Sequence, residues 1–247
     1  MASAGLLAAT TLTACQPAGG AADAATPVVV FAAASLEVPF AELIDEYQEE
    51  HPDAEFAPLE VAGSQHLVQQ VNEGANADVL ALADETSLEQ LVSPPAADSV
   101  AVFATNTLAV VVPSGNPAQI HSLSDLADPS HQVVVCAVNV PCGAATKRLL
   151  AHAEVDFAPV SEENSVRAVL SKVELGEADA GIVYLSDAHT SGQVEYFQPP
   201  EATAIVNRYP IAVFTDNPHA AGFADFVSGE RGREVLENAG FVVPRGE

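Results

Sequence analysis

A strand that turns directly into a helix near residue 35 constrains the fold more than any other stretch of this sequence. The run Val28–Phe31 is β-branched and aromatic, which is typical of a buried strand. Three alanines and Ser35 follow, and apolar residues then recur at helical spacing, at Leu36, Phe40, Leu43, Ile44 and Tyr47. The pattern predicts a strand, a tight turn of small residues and a helix with Ser35 at its N-cap. In an open α/β sheet such a junction lies at the carboxyl end of a strand, where ligands bind.

The composition limits the kind of protein and the kind of partner. With 247 residues, 49% hydrophobic and 17% charged, the chain is expected to be globular, as one large domain or two lobes. Its formal net charge of −26 makes nucleic acid and anionic membrane surfaces poor partners. An anionic ligand would therefore have to be attracted locally, against the field of the whole chain.

The first fifteen residues are predicted to be a targeting segment. An apolar run over residues 5–11 is too short to span a bilayer, and it leads into Leu12-Thr13-Ala14-Cys15. These four residues resemble the lipobox of bacterial lipoprotein signal peptides, which implies a signal peptide over 1–15, lipidation of Cys15 and a flexible tether over 16–26. The protein would then be extracytoplasmic, anchored by lipid alone at the outer face of the cytoplasmic membrane, with a periplasmic location as the alternative. The uncharged start, residues 1–4, departs from the pattern.

Predicted strands and helices alternate along the rest of the chain. Strands are predicted over residues 28–31, 55–61, 77–82, 108–113, 133–135, 180–184 and 209–214. Helices are predicted to start near residues 35 and 64, to pass through 88–91, to cover 144–152 and 165–175, and to close the chain near 223–227 and 235–236. This alternation predicts an α/β fold with mainly parallel sheets.

Four predicted strand-to-helix junctions share one chemistry. Helices open at Ser35, at Ser64, at Val140–Ala144 and at Asn164–Arg167. Each helix N-terminus offers unpaired N–H groups and about half a positive charge, so four that converge would balance a dianion without lysine or arginine. Each junction taken alone is better explained by a simple helix cap, and the sequence does not show whether the four converge.

The motifs at these junctions resemble those of the periplasmic molybdate-binding proteins of ABC transporters, a type II solute-binding protein family. The resemblance starts with the motifs Phe31–Leu36, Gly63-Ser64-x-x-Leu67 and Ala77-Asp78-Val79. It continues in order through Asn106-x-Leu108, Val140-Pro141-x-Gly143, Val166-Arg167, Gly181–Tyr184 with Asp187-Ala188, Tyr209–Val213 and Gly240-Phe241. It covers residues 28–244.

This resemblance implies a fold, a ligand and a set of partners. The fold is α/β and two-lobed, a periplasmic-binding-protein fold in which each lobe is a mixed, mainly parallel sheet flanked by helices, with the ligand in the cleft. Residues 27–105 and 208–247 would form one lobe, and residues 106–207 the other. The chain would be a monomeric binding protein with no enzymatic activity and no cofactor. It would bind molybdate or tungstate and deliver it to the membrane subunits of an ABC permease.

The resemblance also assigns the ligand contacts. Ser35 would contribute its hydroxyl and amide, while Cys142 and Val166 would contribute backbone amides. Ser64 and Tyr184 would contribute hydroxyls, and molybdenum would be held only as the molybdate oxyanion by these five residues. Molybdate, tungstate and sulfate are fully ionised at pH 7 and accept hydrogen bonds only, and all of these groups are donors. A sulfate or thiosulfate binder, or an enzyme on the same fold, stays as the alternative.

Two cysteines beyond Cys15 suggest a disulfide near this site. Cys136 and Cys142 are six positions apart, and cysteines of an exported chain more often pair than stay free. A disulfide would hold the ligand-binding turn and its amides. Two buried thiols and a soft-metal site are the alternatives. The carboxylates of Asp84 and Asp187 near the motifs are interpreted as structural acceptors or as groups that lie behind the ligand contacts.

Overall fold

Two five-stranded sheets form the frame of the chain in the computed structural model, which describes residues 26–244. The first sheet has the strand order β2-β1-β3-β10-β4, with β1 Val30–Ala33, β2 Glu60–Ala62, β3 Val79–Ala81, β4 Val100–Asn106 and β10 Asn207–Val213. The second has the order β7-β6-β8-β5-β9, with β5 Leu108–Pro113, β6 Val133–Cys136, β7 Ser161–Glu163, β8 Ala180–Tyr184 and β9 Val194–Phe197. The predicted signal peptide, Cys15 and nearly all of the 16–26 tether lie outside the described residues.

Both sheets are mixed, as predicted, but neither is mainly parallel. In the first sheet β1 pairs in parallel with β2 and β3, while β10 pairs antiparallel with β3 and β4. The second sheet repeats this arrangement, with β6 parallel to β7 and β8, and β5 antiparallel to β8 and β9. In the first sheet the antiparallel share arises because the chain leaves through β4 and returns through β10, and β10 pairs with both β4 and β3.

The predicted lobe boundaries fall at the two places where the chain passes between the sheets. Residue 106 ends β4 and residue 207 begins β10. Asn106 and Asn207 lie directly opposite each other in this pairing. The division into lobes of residues 27–105 with 208–247, and 106–207, stays a prediction.

Eight α-helices flank the sheets within the described residues. They are α1 Glu37–Glu50, α2 Ser64–Asn72, α3 Glu85–Leu88, α4 Pro141–Ala153, α5 Val166–Glu174, α6 Leu185–Thr190, α7 Pro218–Ser228 and α8 Glu230–Asn238. Short 3-10 turns cover Ala34–Leu36, Ala97–Ser99, Leu123–Ala127 and Pro200–Ala204. No helix within residues 26–244 combines the length and the apolar character that a membrane span requires.

Several elements differ from the prediction for physical reasons. The strand predicted over 55–61 forms only at Glu60–Ala62, and Phe56 makes a single bridge to Val28. The sequence did not predict β4, β7 or β9, and β7 and β9 lie at the edges of the second sheet. Ser161-Glu162-Glu163 carries no apolar side chain, so its strand conformation comes from pairing with β6 rather than from a local pattern.

An apolar core fixes the end of β1 against the helices of the first sheet. Phe40 of α1 packs its ring edge-on against Phe223 of α7, at 6.0 Å between ring centroids. Tyr209 of β10 packs in the same way against Phe241, at 5.2 Å. All four side chains are buried, so the turn that follows β1 is held on a rigid base.

Candidate anion-binding site

The five residues predicted to contact the ligand line one small cavity. Ser35, Ser64, Cys142, Val166 and Tyr184 are all buried, and they surround a space of about 20 Å³. The rest of the lining is formed by Ala33, Ala34, Gly63, Ala83, Val140, Pro141, Asn164 and Ser165. A single water molecule requires roughly 10–15 Å³ by the same measure, so the cavity is suited to a small ligand. None of these described lining residues is charged.

Three of the four predicted junctions meet at the cavity with the start of a helix. Ser64 is the first residue of α2, Val166 is the first residue of α5, and Cys142 follows Pro141 in the first turn of α4. The amides in the first turn of a helix have no carbonyl four residues earlier to bind, so they are available to a ligand. The three partial dipole charges sum to about 1.5 positive charges at the cavity.

Ser35 does not cap a helix, and that part of the prediction is wrong. It lies inside the 3-10 turn Ala34–Leu36, whose N-cap position is taken by Ala33 without any side-chain hydrogen bond. Its Oγ lies 3.0 Å from the Oη of Tyr209 instead. Tyr209 lies on β10, next to the parallel strands of the first sheet, so the Ser35 side chain contacts this distant residue and not a backbone N–H of its own helix. Ser35 is therefore a side chain positioned by tertiary contacts.

Ser64 is similarly held by another element. Gly63 occupies the N-cap of α2, and the Oγ of Ser64 accepts a hydrogen bond from the N–H of Ala83 at 3.0 Å. A hydroxyl has only one proton to donate, and a backbone N–H can only donate. The proton of Ser64 is therefore left for another acceptor, on the side of the cavity that the residue lines.

The phenols of Tyr184 and Tyr209 are fully buried donors. Burial raises the pKa of Tyr184 well above its usual value, with smaller contributions from Tyr209, Asp84 and Asp187. Burial also raises the pKa of Tyr209. Both hydroxyls therefore keep their protons at neutral pH. Tyr184 is thus able to donate a hydrogen bond to an anion in the cavity that it lines.

A disulfide joins Cys136 at the end of β6 to Cys142 in the first turn of α4, with a Cα–Cα distance of 5.7 Å. The alternatives of two thiols and a soft-metal site do not apply to these two sulfur atoms. Among residues 26–244, no group of three or more His, Cys, Asp or Glu side chains is arranged to hold a metal ion. The disulfide fixes the turn that presents the Cys142 amide.

Two contacts bridge the cleft on the outer side of the cavity. The Nε2 of Gln65 on α2 donates to the carbonyl oxygen of Asn164 at 3.0 Å. The Nε of Arg167 on α5 lies 3.8 Å from the Oε2 of Glu37 on α1. Helices α1 and α2 follow strands of the first sheet. The first contact joins α2 to a residue just before the start of α5, and the second joins α1 to α5. Because both are solvent-exposed, each contributes little stability and can open readily.

Asp84 and Asp187, interpreted from the sequence as structural acceptors or as groups behind the ligand contacts, differ from each other. Asp84 caps α3, accepting the N–H of Ser87 at 2.8 Å, so for this residue the interpretation is confirmed. Asp187 is buried, and its Oδ2 has no hydrogen-bond partner. It lines a second, smaller cavity together with Ser35, Glu37 and Arg167. Asp187 is therefore a buried carboxyl behind Ser35, which agrees with the second of the two interpretations and not with the first.

We expect Asp187→Asn to be more stable than the unmodified protein, by about 2.5 kcal/mol more at pH 8 than at pH 5. Burial raises the pKa of Asp187 to about 7, although Arg167 lowers it and Glu37 adds to the increase. Between about pH 4 and 7 the folded state binds a proton that the unfolded state lacks, so stability falls as the pH rises through this range. Asparagine carries no charge and removes that loss. Urea unfolding of both proteins at the two pH values measures the difference, and an equal difference at both would contradict the assignment.

Sequence reasoning missed the polar residues behind the cavity. Asn207 of β10 donates from Nδ2 to the Oη of Tyr184 at 2.8 Å and to the carbonyl oxygen of Ala83 at 3.1 Å. Arg148 of α4 donates in turn to the Oδ1 of Asn207 at 2.8 Å. Buried asparagines at strand ends were the available signal, but a sequence does not show which hydroxyl such an amide contacts.

A family model, sequence relatives and solved structures are similar to this chain. The family model for bacterial extracellular solute-binding proteins matches residues 28–242. The molybdate-binding protein ModA of Mycobacterium tuberculosis H37Rv is 41% identical over 232 residues, which is 91% of this chain and 88% of that protein. The periplasmic molybdate-binding protein of Azotobacter vinelandii has a similar fold, with a TM-score of 0.75 and 21% identity over 88% of this chain and 100% of that one. The sulfate-binding protein SubI of M. tuberculosis shares the fold too, with a TM-score of 0.71 and 19% identity over 87% of this chain and 86% of that one.

Proposed function

The chain belongs to the family of bacterial extracellular solute-binding proteins, and on that premise we propose that it binds molybdate or tungstate for an ABC importer. The 41% identity to a molybdate-binding protein supports this ligand. One observation of the structure carries the proposal: the residues around the cavity present hydroxyls and helix N-terminal amides, with no carboxylate among the lining residues described.

Such a lining favours an anion that has no proton of its own. Molybdate and tungstate are dianions that accept hydrogen bonds at every oxygen and donate none. The hydroxyls of Ser35, Ser64 and Tyr184 and the amides of Cys142 and Val166 would supply donors from several directions. Hydrogen phosphate, which carries a proton, would be favoured by a carboxylate acceptor, and none of the lining residues described is Asp or Glu.

The charge of the chain makes the dipoles of the helices important. With 34 acidic and 8 basic residues, the protein as a whole repels a dianion. The starts of α2, α4 and α5 place partial positive charges at the cavity, where the field is least screened by water. The ligand would thus be held without a direct contact to lysine or arginine.

The cleft position of the cavity suggests how binding would be signalled. Ser35 and Ser64 follow strands of the first sheet, while Cys142, Val166 and Tyr184 belong to elements of the second. A ligand that contacts both groups would close the two lobes around itself, about crossings near residues 106 and 207. The closed form would be the one that the membrane subunits of the permease recognise.

The same proposal covers the location of the protein. Lipidation of Cys15 and the tether that follows would keep a monomeric binding domain at the outer face of the cytoplasmic membrane. Membrane contact would then be through the lipid alone. No enzymatic step is part of this proposal, since the described lining offers neither a carboxylate nor a histidine as a base.

Calorimetric titration of the purified protein with molybdate, tungstate, sulfate and phosphate tests the assignment. We expect molybdate and tungstate to bind at least about 100-fold more tightly than sulfate, and phosphate to bind most weakly. Sulfate binding as tight as molybdate binding would instead identify a sulfate-type protein on the same architecture. Phosphate binding as tight as molybdate binding would contradict the donor-only account itself.

A further inference from the structure

We propose that Asn207 and Asn106 are positioning residues that force the hydroxyls of Tyr184 and Ser35 to donate into the cavity. Neither asparagine is among the residues that line it. Both are buried, at 3% and 2% exposure, and they face each other where the chain crosses between the sheets. The inference rests on the proposed function, because it concerns how the site holds a dianion.

The orientation of the Asn207 amide is fixed by its neighbours. A guanidinium can only donate and a carbonyl oxygen can only accept. Because Arg148 contacts one end of the amide and the carbonyl of Ala83 the other, Oδ1 must face Arg148 and Nδ2 must face Ala83. The second N–H of Nδ2 then points to the Oη of Tyr184, at 2.8 Å.

The direction of the Tyr184 hydroxyl follows from that amide. Its oxygen accepts the N–H of Asn207, so its one proton has to be donated elsewhere. Tyr184 is 1% exposed and lines the cavity, and its pKa is raised by burial, so the proton stays on the oxygen. The cavity is therefore where this donor is directed.

A second relay on the other strand directs Ser35. The N–H of Thr107 donates to the Oδ1 of Asn106 at 3.0 Å, which leaves Nδ2 to donate to the Oγ of Ser186 at 2.7 Å and to the Oη of Tyr209 at 3.4 Å. The Oη of Tyr209 and the Oγ of Ser35 lie 3.0 Å apart, a contact in which either hydroxyl is able to donate. We infer that Tyr209 is the donor, because its oxygen already accepts the N–H of Asn106, and Ser35 then keeps its own proton for the cavity.

Together the relays make every hydroxyl of the site a donor of fixed direction. Ser64 is directed by the backbone of Ala83 and the other two hydroxyls by the facing asparagines. A hydroxyl that is free to rotate can turn its proton away and present only its lone pairs to a ligand, whereas a directed hydroxyl presents its proton. The selection for a fully ionised anion is thus set partly by side chains that the ligand does not touch.

A double-mutant cycle between Asn207→Asp and Tyr184→Phe tests the first relay, with molybdate affinity measured by calorimetry. An aspartate accepts only, so it pairs with Arg148 and draws the Tyr184 proton away from the cavity. We expect Asn207→Asp alone to weaken molybdate binding by at least about 10-fold. When Tyr184 is already phenylalanine, the same substitution should weaken binding by a factor at least about 10 times smaller than in the unmodified protein. Equal factors in the two backgrounds would overturn the proposal, because a general structural effect, or the added charge, acts in both.

A matched control and a second cycle keep the result interpretable. Asn72→Asp alters another amide that joins two backbone groups, the carbonyl of Gln90 and the N–H of Val92, and it lies outside the cavity lining. It should leave molybdate affinity within about 2-fold of the unmodified protein. If Asn207→Asp does not fold, the cycle of Asn106→Asp with Ser35→Ala decides the proposal by the same criterion. Failure of the unmodified protein to bind molybdate would instead contradict the proposed function.

Discussion

Ser35→Ala is expected to weaken molybdate binding by about 10- to 100-fold, the loss of a hydrogen bond to a charged group worth about 1.5–3 kcal/mol. The substitution removes the hydroxyl that the relay from Tyr209 directs into the cavity, and it creates no clash. It also leaves the Oη of Tyr209 without its acceptor, so a small loss of stability accompanies the loss of affinity. Calorimetry gives the affinity, and thermal unfolding without ligand separates the two effects.

Ser87→Ala is the control for this substitution. Ser87 is as buried as Ser35, at 3% against 8% exposure, but it lies in α3 and does not line the cavity. Its replacement should leave molybdate affinity unchanged. Unchanged affinity in Ser35→Ala as well would mean that Ser35 serves only as the partner of Tyr209.

Gly143→Ala is expected to destabilise the fold by at least about 2 kcal/mol and to abolish tight binding. A Cβ at this position would lie 1.9 Å from the carbonyl oxygen of Ala137 and 2.6 Å from that of Cys136. Both atoms belong to the backbone, so the first turn of α4 has to move away from the end of β6. The Cys142 amide, one residue earlier, moves with it. Thermal unfolding and calorimetry measure the two consequences.

Gly192→Ala provides the matched comparison. No heavy atom lies within 4 Å of a Cβ built at Gly192, so this substitution should change stability by less than about 0.5 kcal/mol. If Gly143→Ala also kept normal stability and affinity, the close approach of α4 to β6 would not be what positions the Cys142 amide.

The sequence predicted the elements whose pattern is local. The apolar runs 108–113 and 180–184 became β5 and β8 with unchanged bounds, because a continuous apolar run of this length suits a buried strand. The start of α4 was marked by Pro141, which favours the first helical position. The polar strand β7 was not predictable, since pairing with β6 determines it, and the contact of Ser35 with Tyr209 spans 174 residues, so it left no local signal.

The sequence predicted which residues line the candidate site, but it did not predict how they are arranged in space. The small residues and unpaired amides at helix starts indicated an anion, and the resemblance to a known family selected which residues to examine. Their convergence on one cavity depends on the order of strands in two sheets, which spacing along the chain does not encode. The contact of Asn207 with Tyr184 spans 23 residues, so no local signal predicted the relay.

An anomalous difference map from crystals grown with molybdate, recorded at the molybdenum absorption edge, tests the central claim most directly. The account predicts one strong peak in the cavity, with its oxygens within about 3 Å of the hydroxyls of Ser35, Ser64 and Tyr184 and the amides of Cys142 and Val166. A peak elsewhere, or a molybdate whose oxygens contact a carboxylate or only lysine and arginine side chains, would contradict it.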